Sequence, residues 1–356
     1  MASASETIRQ PEPAVPQREP ARRPPWRNWV DVLRTQNLAA GTAMDPVSRW
    51  LLITRASVFP MTITSALIGG LLAVAGPTPS TVHWLYFAMA LAGVVLAHAA
   101  NNMINDWFDL AGGVDSATYV RGQYAPHPIL SGLISKRGLL LAIALVNVLD
   151  LAILVYLMRV WGWPVAVFAL AGLFVSVFYV APPLKLKQRG LGEPGVFLVW
   201  GPLMIAGTYF VTTGLAPAWV WAASLPYALL VTTVLFGKHI DKIEADTAKG
   251  IRTLPVILGQ AHARWVAQTL MVSFFVVMAL LVLTGTLGVW TLVTFAAIPR
   301  LVRVTRVFAE PRPSEPPANF PIWPLWYVAW AFLLTRLAGG LFVLGLIANA
   351  IRPAFL

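Results

Sequence analysis

Asn102, Asn105, Asp106 and Asp109 form one polar cluster, with Asp115 just downstream; Asp241, Glu244 and Asp246 form a second, much later in the chain. Only 12% of the residues are charged, and both clusters close long apolar runs. Carboxylates beside hydrocarbon are costly, so they persist where pairing or function requires them. Asn102, Asp106 and Asp109 follow an i, i+4, i+7 spacing that places them on one helical face. Carboxylate and amide oxygens in that arrangement are hard ligands suited to Mg²⁺, which also takes phosphate oxygens. Acids at a helix C-terminus oppose its dipole, which weakens the alternative that they are merely solvated. Two such clusters predict a Mg²⁺-diphosphate site assembled from two helix ends, with Asp106, Asp109, Asp241 and Asp246 as metal ligands.

The second cluster has an irregular register. Asp241 and Asp246 are five residues apart, which in a continuous helix separates their side chains by about 140°. Either the helix ends before Asp246 or a bulge realigns the pair. Asp241 and Glu244 share a face by i, i+3 spacing, so Glu244 is a possible support. Lys187, Lys242 and Arg252 can offset diphosphate charge, although basic loops also arise simply from membrane topology. Gly112-Gly113 breaks the first helix and lets Asp115 fold back toward it.

The elements that must position these groups are transmembrane helices. Hydrophobic residues make up 58% of the chain, above the roughly 45–50% of ordinary soluble domains. About nine apolar runs approach the length needed to cross a bilayer. They lie near 49–75, 82–108, 136–158, 162–181, 191–213, 217–238, 262–285, 287–308 and 322–350, separated by Gly- and Pro-rich breaks. The expected fold is an all-α polytopic membrane bundle over 45–356, with a central cavity open toward the cytoplasmic side. Lys and Arg concentrate in alternate connections, which places those loops, both acidic clusters and the N-terminus in the cytoplasm. The net charge of +11 follows from that asymmetry and from anionic membrane lipid, with no nucleic-acid partner implied. Residues 1–44 read as a disordered, basic, Pro-rich tail with a short interfacial helix near 26–36. Zero cysteines exclude disulfides, thiolate metal sites and cysteine nucleophiles.

Asn105-Asp106-Trp107-Phe108-Asp109 with Asp115 resembles the first aspartate-rich motif of the UbiA superfamily of intramembrane prenyltransferases. The loop Pro126–Ser135 is similar to that family's, with His127 where an arginine is common. Asp241–Asp246, followed by Gly250-Ile251-Arg252-Thr253, resembles its second motif; Asp246 holds the matching register, and Lys242 falls where the first aspartate is usual. Tyr179–Lys187, Gly190–Glu193 and Trp200–Met204 are similar to the menaquinone-pathway branch, which prenylates a dihydroxynaphthoate. The resemblance implies Mg²⁺, a polyprenyl diphosphate donor and a small aromatic, quinone-precursor-like acceptor, in the bacterial cell membrane. It also implies substrate contacts from Asn102, Asn105, Asp115, Tyr179, Lys187, Lys242 and Arg252. Glu193 and Tyr179 have equally good structural readings, as a helix N-terminal acid and as aromatic packing.

Two rivals use the same residues differently. A membrane terpene cyclase would ionise the same diphosphate and quench the cation internally. An ion-coupled transporter would carry acids near mid-membrane and an internal repeat; the acids here cluster at cytoplasmic ends, and no repeat is evident.

Overall fold

A computed structural model describes residues 23–39, 41–114, 120, 124–318, 320 and 322–356. Residues 1–22 of the tail, and Asp115, lie outside that set. Among the described residues the structure is helical, with no named strand; a single parallel bridge joins Arg189 to Arg252.

Helix α1 (Pro25–Thr35) and helix α2 (Pro46–Ile53) precede the bundle. Asp45 joins them: it caps α2 by accepting from the Ser48 N–H at 2.9 Å, and receives Trp29 Nε1 at 2.9 Å and Asn28 Nδ2 at 3.1 Å. The bundle proper comprises α3 (Phe59–Ala75), α4 (Trp84–Ala111), α5 (Lys136–Trp161), α6 (Pro164–Phe178), α7 (Gly192–Thr213), α8 (Ala218–Ile240), α11 (Gln260–Leu283) and α13 (Tyr327–Ile351). Two short helices, α9 (Ile243–Ala248) and α10 (Leu254–Leu258), join α8 to α11. A 3₁₀ segment, Val289–Ala297, leads into α12 (Ile298–Ala309).

Among the described residues, seven helices are long and apolar enough to span a membrane, where nine apolar runs were expected. The other two runs are helical but fall short. At 15 residues, α6 rises about 22 Å, less than the roughly 30 Å hydrocarbon core. The 289–309 run is 3₁₀ for its first nine residues, then carries Arg300, Arg303 and Arg306 on α12.

Burial ranks the spans. In α8, 72% of the most apolar stretch is buried, against 11% in α5, so α8 is central and α5 faces outward. Small residues let the backbones close on α8. A Cβ on Gly201 of α7 would stand 2.4 Å from that of Ala228, and one on Gly237 would stand 2.8 Å from the backbone of Val328. Within α7, Val199–Ala206 widens to a π-helix around Pro202, a device that accommodates a residue unable to donate. Ser65 Oγ donates to the Trp200 carbonyl there at 2.6 Å, fixing α7 to α3.

Candidate functional site

The last three turns of α4 carry the first cluster inward: Asn102, Asn105, Asp106 and Asp109 are all buried. The helix stops at Ala111, where Gly112 and Gly113 follow, Gly113 with φ of 71°. Asp106 and Asp109 each meet a cation from another element, and Asp246 meets one at the start of its own helix. Arg55, in the turn before α3, grips Asp106 with two nitrogens, one of them Nε at 3.3 Å from Oδ2. Lys187 donates to Asp109 Oδ2 at 2.8 Å, and Lys242 lies 3.6 Å from Asp246 Oδ1. Burial, and then the charge of Lys187, pull the Lys242 ammonium below its ordinary value, so the two lysines share one space.

The second cluster divides. Helix α8 ends at Ile240, a turn intervenes, and α9 begins at Ile243. That break places Asp246 in a separate helix, fully buried on Lys242, while Glu244 is exposed. Asp241 serves another element: its two oxygens accept the backbone N–H groups of Tyr327 at 2.9 Å and Val328 at 3.0 Å, the first turn of α13. Burial pushes its carboxyl up from 3.8 to about 7, against the pull of those N–H groups and Arg312. Arg252 is exposed and, among the described residues, makes no side-chain hydrogen bond or ion pair. Asp115 lies outside the described residues.

His127 stands close to where the resemblance places a loop cation. Its Nδ1 accepts the Ile129 and Leu130 N–H groups at 3.3 and 3.4 Å, and its Nε2 lies 4.0 Å from Asp106 Oδ1. Asn102 donates to the Thr54 carbonyl at 2.9 Å, holding α4 beside the Arg55 turn.

Beneath this charged end lies a cavity of about 630 Å³, lined by α4, α5, α6, α7, α8 and α13. Arg55, Asn102, Asn105, Tyr179 and Lys238 mark its polar end, and residues such as Leu157, Val165 and Phe168 its apolar wall. The end of α1, Leu33 to Gln36, contributes to the lining. An apolar cavity with a few convergent polar groups is the usual form of a small-molecule site.

Sequence reading missed several of these residues. Arg55 and Arg336 are lone cations inside apolar runs, a signal that intramembrane charge alone provides. Asp150 is an acid near the middle of α5 that lines the cavity, so the acids are not confined to helix ends. Glu193, which the sequence offered equally as a helix N-terminal acid, was not matched to its partner: its Oε1 meets His239 Nδ1 at 2.6 Å in a fully buried pair joining α7 to α8.

Among the described residues, no three His, Cys, Asp or Glu side chains converge as a preformed metal cluster. The donor set nevertheless suits a hard cation: Asp106, Asp109 and Asp246 supply carboxylates, and Asn105 Oδ1 is buried without a hydrogen-bond partner. Each carboxylate is held against a cation that a diphosphate can take over.

A profile of the UbiA prenyltransferase family matches residues 62–333. The chain is 26% identical over 245 residues to the 1,4-dihydroxy-2-naphthoate octaprenyltransferase of Bacillus subtilis, covering 67% of this chain and 75% of that one. It is 27% identical over 273 residues to the 2-carboxy-1,4-naphthoquinone phytyltransferase of Synechocystis sp., covering 76% and 85%. A UbiA homolog from Archaeoglobus fulgidus, solved bound to GPP and Mg²⁺, aligns with a TM-score of 0.56 at 16% identity over 85% of this chain and 99% of that one. At that identity the likeness is one of fold.

Proposed function

The chain belongs to the UbiA prenyltransferase family, and we propose that it transfers a prenyl group from a polyprenyl diphosphate to a small aromatic acceptor of the naphthoate class, releasing diphosphate. The observation that carries this reading is the set of three buried acid–cation pairs at the polar end of one apolar cavity. The relatives named for naphthoate and naphthoquinone substrates support the choice of acceptor.

Asp106, Asp109 and Asp246 would hold Mg²⁺, with Asn102 and Asn105 beside them. When bound, Mg²⁺ supplies Lewis-acid neutralisation of the leaving diphosphate. Arg55, Lys187 and Lys242 are then available to the diphosphate oxygens, exchanging one anionic partner for another. Such fixed charges act most strongly where water is excluded. Loss of diphosphate breaks the bond from C1 to oxygen and leaves an allylic cation. An electron-rich ring carbon of the acceptor attacks C1 and then loses its proton. The apolar walls house the prenyl chain and keep out water that would otherwise capture the cation.

Asp241 is assigned here to capping α13, leaving Asp246 as the second motif's metal ligand. The distribution of Lys and Arg supports a cytoplasmic N-terminus, and the bacterial relatives support a bacterial cell membrane as its site. The test is product analysis by mass spectrometry after incubation with Mg²⁺, prenyl diphosphates of several lengths, and naphthoate, hydroxybenzoate or homogentisate acceptors. A prenylated naphthoate is expected; exclusive use of another acceptor would retain prenyl transfer and reject the naphthoate class.

A further inference from the structure

His98 lines the same cavity, on α4. It lies one turn, about 6 Å along the axis, from Asn102 and about 12 Å from Asp106. Its ring sits between Phe59 and Trp200, with centroids at 5.3 and 5.2 Å. An aromatic acceptor within attack distance of C1, on a prenyl chain whose diphosphate is held near Asp106, can extend to that level of the cavity.

A relay fixes which nitrogen of His98 carries the proton. Trp200 Nε1 donates to Thr62 Oγ1 at 3.1 Å, and Thr62 Oγ1 lies 2.7 Å from His98 Nδ1. The indole N–H can only donate, and Thr62 is fully buried. The threonine hydroxyl proton therefore needs an acceptor, and His98 Nδ1 supplies it. With Nδ1 accepting, the proton of the neutral ring is on Nε2. Among the described residues no hydrogen bond reaches that nitrogen, and it belongs to a side chain lining the cavity. The tautomer also has a chemical consequence. A bare imidazole nitrogen beside an allylic cation would compete with the acceptor as nucleophile, whereas a protonated Nε2 has no lone pair to offer.

We propose that His98 binds the acceptor, its Nε2–H donating to an ionised oxygen, carboxylate or phenolate, on the aromatic ring. This rests on the prenyl-transfer reading above. It gives the site a preference for acidic aromatics, because a donor fixed in an apolar wall is left unpaired by a ring without such an oxygen.

The test is calorimetric titration of the full-length protein in nanodiscs with 1-hydroxy-2-naphthoate, and separately with a prenyl thiolodiphosphate. His98→Phe keeps the aromatic packing and removes the donor; it should weaken naphthoate binding roughly 10- to 100-fold, the range for a lost hydrogen bond to a charged group. His98→Gln places an amide N–H near the Nε2 position and should remain within about fivefold of wild type. Affinity for the thiolodiphosphate should stay within about twofold in both variants, since His98 has no part in holding the diphosphate. Unchanged naphthoate affinity in His98→Phe overturns the proposal, as does a His98→Gln defect as large as that of His98→Phe. Parallel loss of thiolodiphosphate binding, or no naphthoate binding by wild type, overturns it equally. Failure of the transfer reading is separately visible in turnover: the donor is consumed without an acceptor while naphthoate still binds through His98.

Discussion

Asp106 and Asp109 are both buried against cations, so their charge is costly to keep and costly to lose. Asp106→Asn and Asp109→Asn preserve size and hydrogen bonding but remove the anion proposed to hold Mg²⁺. Each should lower turnover by about 100-fold or more, the scale of losing one electrostatic stabiliser, with helicity by circular dichroism unchanged. Asp246→Ala should do similar damage, whereas Glu244→Ala, which removes an exposed side chain, should stay within about threefold. A larger defect at Glu244 would restore the pairing of Asp241 and Glu244 along one helix. Asp106 and Asp109 were legible because helical spacing is a local property. Their partners were not: Arg55 meets Asp106 across 51 positions and Lys187 meets Asp109 across 78. Arg55 could have been flagged as a lone charge in an apolar run, but not matched to its carboxylate.

The elements act on the site through their ends. Asp241 caps α13 from the end of the neighbouring α8, and Gly237, one turn earlier, lets the α13 backbone approach. Gly237→Ala should cost about 1–3 kcal/mol by overpacking, because its Cβ would meet backbone that cannot move aside. Asp241→Asn should lower stability by about 1 kcal/mol through the half-lost cap, while the apparent affinity for Mg²⁺ stays as in wild type. Its pH dependence has a definite sign. A carboxyl raised from 3.8 to about 7 binds its proton more tightly when folded, so it stabilises the fold at low pH and loses that contribution as pH rises between those values. The wild-type margin over Asp241→Asn, measured as Tm in nanodiscs, should therefore shrink over that window. Sequence spacing left open whether the helix ends before Asp246 or bulges, because periodicity does not show where a chain turns. The break after Ile240 gives Asp241 and Asp246 different neighbours.

At the scale of the whole molecule, a bundle centred on α8 encloses a cavity whose charged end gathers α4, the Arg55 turn, Lys187 and α9. The apolar runs made a helical membrane bundle legible, since roughly 20 apolar residues are a length criterion that needs no tertiary knowledge. The same criterion overcounted spans, because it is blind to the 3₁₀ geometry of Val289–Ala297 and to the premature end of α6 at Phe178. It also passed over Asp150 and His98, whose importance comes from facing the cavity. Removing divalent metal with EDTA should abolish turnover, and Mg²⁺ should restore it, if the three carboxylates act as proposed. The most direct test of the account is diphosphate release and product mass with and without 1,4-dihydroxy-2-naphthoate, in the presence of Mg²⁺ and a polyprenyl diphosphate. Prenyl transfer predicts release that depends on the acceptor and a naphthoate product heavier by one prenyl chain; efficient formation of a cyclic hydrocarbon or terpene alcohol without any acceptor would contradict it.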